Sequence, residues 1–323
     1  MVVVWRVTTA CNLGCGFCAF DQRLNRERRD ADPAAVLVFA KILGAWGRKL
    51  DHMPLVSWMG GEPLLWPPLK ELTLILHRQY GLRISATTNA TPLADAEMRR
   101  HILENYAELT ISVDGVGKRH DDLRDWPGGY PWLARHVALL AEEKKMDGRG
   151  PKLRANVVIM RDTLDGLEML CSDLAQWGIE EITFNQLGGQ DRPEFYPDHR
   201  LLPIHAQRLA TLLPRLRQTF ARQGVRIRGA ERYLERIGAS ADGRLWPVGD
   251  CRPGGSFLFV NEAGRVAPCS FTVGACGVPV DAISSVKAMT DLPNFFARAI
   301  ETARPPACGD CLSTQVFGKF GEA

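Results

Sequence analysis

Through residues 1–190 the apolar positions follow two rhythms in turn. Short runs rich in β-branched residues predict strands at Val2–Thr8, Leu55–Trp58, Leu82–Thr87, Leu109–Val113, Leu153–Ile159 and Glu181–Asn185. Longer stretches between them predict helices at Pro33–Lys49, Pro67–Tyr80, Asp95–Tyr106, Tyr130–Lys145 and Leu164–Trp177. Such alternation argues for an α/β fold with a parallel sheet and right-handed crossovers. Six units make a partial (β/α)6 barrel, in which ligands gather at the C-terminal ends of the strands.

The texture changes after residue 190. The run QDRPEFYPDHRLLP is polar and proline-containing and predicts a linker. A helix over Ile204–Gln223, a strand at Val225–Arg228 and a helix near Ala230–Ile237 follow. From Cys251, glycines punctuate short runs such as SFLFV and RVAPC, which predicts a small α+β module built on a hairpin. The expected division is 1–190 for the barrel, 191–250 for linker and helical connection, and 251–323 for the small module.

Composition excludes several classes. The chain has 323 residues, 46% hydrophobic and 24% charged, as in an ordinary globular protein. A net charge of +3 gives no basic stripe for nucleic acid. No apolar run approaches the ~20 residues of a membrane span. The start, MVVVWRVTTAC, lacks the charged lead of a signal peptide. A cytoplasmic protein with no membrane or nucleic-acid partner is expected.

The nine cysteines change the picture most. In such a chain they are expected to be metal ligands rather than disulfides. Cys171 stands alone in a helical stretch and reads as core. Cys11, Cys15 and Cys18 share one loop, CNLGCGFC, after the first strand. Three thiolates can hold three irons of a four-iron cluster and leave the fourth iron open to a small molecule. Gly60-Gly61-Glu62 follows the second strand, where glycines let backbone approach closely and a carboxylate can accept from an ammonium.

The cysteine spacing and the GGE turn together resemble the radical S-adenosylmethionine (radical SAM) superfamily, across residues 1–190. The resemblance implies a partial (β/α)6 TIM barrel, a [4Fe-4S] cluster on Cys11, Cys15 and Cys18, and bound SAM. It also implies cofactor contacts: Gly60, Gly61 and Glu62 at the methionyl amino group, Phe17 near the adenine, Asn89 and Ser112 toward the ribose, and Asn156 and Arg161 toward the carboxylate. Asp114 reads as a turn cap or a cavity residue, and His120, Asp122 and Arg124 as substrate-facing or surface groups.

Cys251 and Cys269 are spaced C-x17-C, and Cys308 and Cys311 form CGDC. Four thiolates suit a second four-iron cluster or a tetrahedral zinc site. The pattern resembles the twitch module, a shortened SPASM domain, which implies an auxiliary [4Fe-4S] cluster. Cys276 has no place among these four; it reads as a buried small hydrophobe, a substitute ligand, or a catalytic hydrogen donor.

The resemblance implies a radical SAM oxidoreductase acting on a small natural-product intermediate or short peptide, with the auxiliary cluster accepting an electron. The alternatives are a redox-neutral epimerase using a cysteine, or a non-catalytic iron–sulfur or zinc protein. A flavodoxin or ferredoxin is the expected reducing partner. With the first strand beginning at residue 2, no fused leader-peptide-binding domain is expected.

Overall fold

A computed structural model describes residues 1–321. Ten strands form one sheet: β1 (Val2–Thr8), β2 (Leu55–Gly60), β3 (Arg83–Thr88), β4 (Glu108–Ser112), β5 (Lys152–Ile159), β6 (Glu181–Gln186), β7 (Arg226–Ile227), β8 (Phe257–Val260), β9 (Arg265–Ala267) and β10 (Val278–Pro279). Their order is β10-β9-β8-β1-β2-β3-β4-β5-β6-β7. Strands β8 through β7 in that order run parallel, while β9 pairs antiparallel with both β8 and β10. The fold is the expected partial TIM barrel.

The hairpin of the C-terminal region does not form a sheet of its own. β8 pairs with β1 over Val2–Phe257 to Trp5–Val260, and Arg6 Nε donates to Glu262 at 2.5 Å. An open barrel leaves β1 an unpaired edge, and the hairpin supplies its missing neighbour.

The helices are α1 (Pro33–Lys49), α2 (Leu69–Leu74), α3 (Ala96–Asn105), α4 (Lys118–Arg124), α5 (Gly129–Asp147), α6 (Leu167–Gln176), α7 (Tyr196–His199), α8 (Pro203–Ala221), α9 (Glu231–Ala241), α10 (Val273–Cys276) and α11 (Val286–Thr302). α1 shows why local sequence folds as it does. Asp32 accepts from Ala34 N–H as N-cap, Pro33 opens the first turn, and Val36, Phe39 and Leu43 form the buried face. Phe39 meets Trp5 of β1 edge-on at 5.6 Å. The stretch expected as one helix over 67–80 ends in a π-turn at Ile75–Gln79. Among the described residues no helix is long and apolar enough to cross a membrane.

Along β5, buried Leu153, Ala155, Val157 and Ile159 pack under the helices, while half-buried Lys152, Arg154, Asn156 and Val158 face the lumen. Glu108 and Glu181, the first residues of β4 and β6, pair with Arg154 and Lys152 across the lumen floor. Asn156 lies one layer higher, level with Ser112 and Thr183. The lumen at this height is therefore polar, as a cavity for a polar ligand requires.

Candidate active site

The cysteine loop leaves β1 at the C-terminal rim. Cys15 is buried and Cys11 and Cys18 are half-buried. Burial pushes the Cys15 thiol up to about 12 and the Cys18 thiol up to about 11. Such thiols stay protonated at neutral pH until a metal displaces the proton.

The GGE turn lies directly against this loop. A side chain at Gly60 would strike Thr8, and one at Gly61 would strike Ala10 and Cys11. Gly61 N–H donates to Thr8 O and Glu62 N–H to Ala10 O. The Glu62 carboxylate is engaged within the protein. Oε1 accepts from Thr88 Oγ1 at 2.7 Å and Leu64 N–H at 3.0 Å, and Oε2 accepts from Asn89 N–H at 2.6 Å. The side chain is fully buried and clamps the β2 and β3 loops together. Burial raises its pKa to about 7 against the pull of those three hydrogen bonds.

Asn89 joins the same group. Its Nδ2 donates to Asn12 Oδ1 at 2.9 Å and approaches Cys11 Sγ at 3.8 Å. Its Oδ1 accepts from Thr91 N–H and Oγ1, so the amide is fixed. The other candidates lie elsewhere around the rim and lumen. Phe17 faces Phe195 at 6.2 Å and lies 6.0 Å from the Arg124 guanidinium. Ser112 and Asn156 are register neighbours facing the lumen. Asn156 Oδ1 accepts from Thr183 Oγ1 and from Lys319 Nζ. Arg161 lies past the end of β5, where its N–H donates to His199 O of α7.

Arg124 is the residue the sequence underrates. It is buried, and both its Nε and Nη2 donate to Asp114 Oδ2. Burial alone would lower its pKa, but the charges of Asp114 and Cys15 outweigh burial and raise it. The field of this cation also reaches Cys11, Cys18 and Glu62. Asp114 Oδ1 accepts from Val158 N–H, and His120 Nδ1 accepts from Asp114 N–H. The one available signal was the placement of Asp114 and Arg124 ten residues apart, invisible without the helix α4 between them. Asp122, by contrast, is half-exposed and paired with Lys118.

The stretch expected as a linker packs over the cysteine loop. Arg192 Nη1 meets buried Asp21 at 2.9 Å, and Phe195 lies against both Phe17 and Gly16.

Cys251, Cys269, Cys308 and Cys311 ring a second cavity of about 80 Å³. Partial burial, then the charges of Cys269, Cys311 and Cys308, push the Cys251 thiol up to about 11. The four thus share one electrostatic field. Among the described residues no three His, Cys, Asp or Glu side chains gather tightly enough for a single metal ion. Four thiols around a cavity fit a larger group with one thiolate at each corner. Buried Arg236 fixes the CGDC turn by donating to Cys311 O at 2.8 Å and Asp310 Oδ1 at 2.6 Å. Cys276 does not line this cavity. Its sulfur donates to Thr272 O, behind Cys269, whose own sulfur meets Thr272 Oγ1.

The family model for the radical SAM superfamily matches residues 5–174. The chain is 30% identical over 190 residues to an Fe-coproporphyrin III synthase of Methanosarcina barkeri, covering 58% of this chain and 44% of the relative. It is 22% identical over 275 residues to mycofactocin maturase MftC of Mycolicibacterium smegmatis, covering 84% and 64%. It thus spans less than two thirds of either relative. Among solved structures, anSMEcpe with bound AdoMet superposes with a TM-score of 0.69 at 17% identity, covering 98% of this chain and 88% of that one. SuiB of Streptococcus suis bound to S-adenosylmethionine gives 0.64 at 17% identity, covering 96% and 72%.

Proposed function

This chain belongs to the radical SAM superfamily, and we propose that it is an oxidoreductase acting on a small natural-product intermediate or a short peptide. A [4Fe-4S] cluster and SAM, when bound, would supply hydrogen-atom abstraction from an unactivated C–H.

The protein's part is to hold and orient. Cys11, Cys15 and Cys18 hold the cluster, and Asn89 offers an N–H to the first of them. Gly60 and Gly61 bring the turn's backbone close enough to meet the methionyl ammonium, while Glu62 keeps that turn rigid. Phe17 would flank the adenine, Ser112 and Asn156 line the lumen, and Arg161 would meet the carboxylate from the rim. Arg124 offsets the negative charge of three thiolates.

Cys251, Cys269, Cys308 and Cys311 would hold an auxiliary [4Fe-4S] cluster, which gives a place for an electron leaving the substrate. One observation carries the oxidative reading. The tail that leaves Cys311 lines the auxiliary cavity with Gln315 and Val316, then enters the lumen at Lys319. Auxiliary site and lumen are thus joined by one short segment. Flavodoxin or ferredoxin would supply the first electron. The maturase among the relatives, MftC, is the reason a short peptide stays in the substrate class.

The test is anaerobic incubation with SAM and dithionite. Wild type should form 5′-deoxyadenosine, and Cys15→Ala should not. A Cys308→Ala/Cys311→Ala variant should keep SAM cleavage, lose one cluster's iron, and lose oxidised product. Unchanged product from that variant would overturn the electron-acceptor role. Cys276→Ala should leave turnover intact, because its sulfur faces the Thr272 carbonyl.

A further inference from the structure

The tail carries into the barrel a charge that none of these roles uses. Lys319 is only 7% exposed, and its Nζ lies in the lumen 2.6 Å from Asn156 Oδ1. The tail's backbone holds it there. Gly318 O accepts from Ala230 N–H, and Phe317 is buried against Trp246 and the guanidiniums of Arg232 and Arg236.

The neighbouring acids are already engaged. Glu108 pairs with Arg154 at 2.5 Å and with Lys152 at 3.7 Å. Glu181 pairs with Arg154 at 2.7 Å, Arg228 at 2.8 Å and Lys152 at 3.5 Å. Among the described residues Lys319 makes no ion pair, and its hydrogen-bond acceptor is a neutral amide. Burial, then Arg154, pull the Lys319 pKa down to about 7. A buried ammonium lacking a counter-charge is unfavourable, and an arriving anion relieves it.

We propose that Lys319 is a specificity-determining residue that receives a carboxylate of the substrate inside the lumen, beside Asn156. This rests on the reading of the lumen as the substrate cavity, and it narrows the substrate to a carboxylate-bearing molecule. The layer shared by Ser112, Asn156 and Thr183 supplies hydroxyl and amide groups for the remaining polar atoms. Lysine here acts as a point charge, so one carboxylate oxygen suffices and an arginine replacement should retain part of the binding.

The experiment measures binding rather than turnover. Propionate and propionamide are added to the anaerobic, cluster-reconstituted protein saturated with SAM, and saturation-transfer NMR reads each. Wild type should give a saturable propionate signal and none with propionamide. Lys319→Met should weaken propionate at least tenfold, and Lys319→Arg should restore part of it. An equal response to both probes in wild type, or an undiminished signal in a folded Lys319→Met, overturns the proposal. Propionate that binds without SAM but is displaced by it would assign Lys319 to the cofactor's carboxylate, and overturn the substrate assignment. The wild-type 5′-deoxyadenosine assay tests the radical reading separately.

Discussion

Arg124 donates both Nε and Nη2 to a single oxygen of Asp114, at 2.9 and 2.5 Å, and both side chains are buried. The other oxygen of Asp114 holds β5 through Val158 N–H. The pair thus ties α4 to the strand ends while placing a cation in the field of three cluster cysteines. Arg124→Met leaves a buried carboxylate uncompensated, which should cost about 3–5 kcal/mol of stability. Urea unfolding of the metal-free protein checks this. A loss below about 1 kcal/mol would mean that the pair contributes little to the fold.

Glu62 predicts a pH dependence. Its pKa is raised from 4.5 to about 7, mainly by burial. The folded state therefore holds a proton that the unfolded chain has released between these values. The stability it contributes is fully present below pH 4.5 and is lost as pH rises through 7. The fall should be about 3 kcal/mol, and Glu62→Gln should flatten it. Thermal unfolding of the metal-free protein across that range is the measurement.

Phe195 and Phe17 face each other above the cysteine loop at 6.2 Å. An aromatic pair of this kind contributes about 1 kcal/mol beyond burial. Phe195→Ala should therefore raise the SAM dissociation constant roughly fivefold by loosening the adenine side of the site. Equilibrium dialysis of the reconstituted protein reads it directly, and unchanged affinity would separate this contact from cofactor binding.

Arg236 holds the CGDC turn through Cys311 O and Asp310. Arg236→Met should free that turn and lower bound iron toward the amount of a single cluster, while SAM cleavage continues. Iron analysis beside the 5′-deoxyadenosine assay tests both parts. Full iron content would show that the turn keeps its shape without the clamp.

Local pattern was enough to locate β1 to β6 and, α4 apart, the helices between them. Strand and helix periods are set by neighbours within a few residues, and each of these segments buries one face. The first cysteine group was equally legible, because short spacings within a loop leave little freedom in where the thiols lie, whereas Cys251 and Cys269 meet Cys308 and Cys311 only through the fold. Less was legible where partners come from distant segments. The stretch at 190–203 looks like a plain connector, yet Arg192 finds Asp21 and Phe195 finds Phe17. Polar, proline-containing composition marks the absence of regular structure, not the absence of contact.

By itself, then, the order of residues determined the strand–helix alternation, the cysteine spacings and the glycine turn that must pass close to Cys11. Each depends on chemistry within a short stretch of chain. The tertiary structure alone decided which way polar side chains point. It turned Glu62 inward as a clamp, paired Arg124 with Asp114 beneath the cysteine loop, joined β8 to the edge of β1, and delivered Lys319 to Asn156. Burial and long-range pairing set the role of such groups, because a charge removed from water takes its character from whatever charge or hydrogen bond the fold brings beside it.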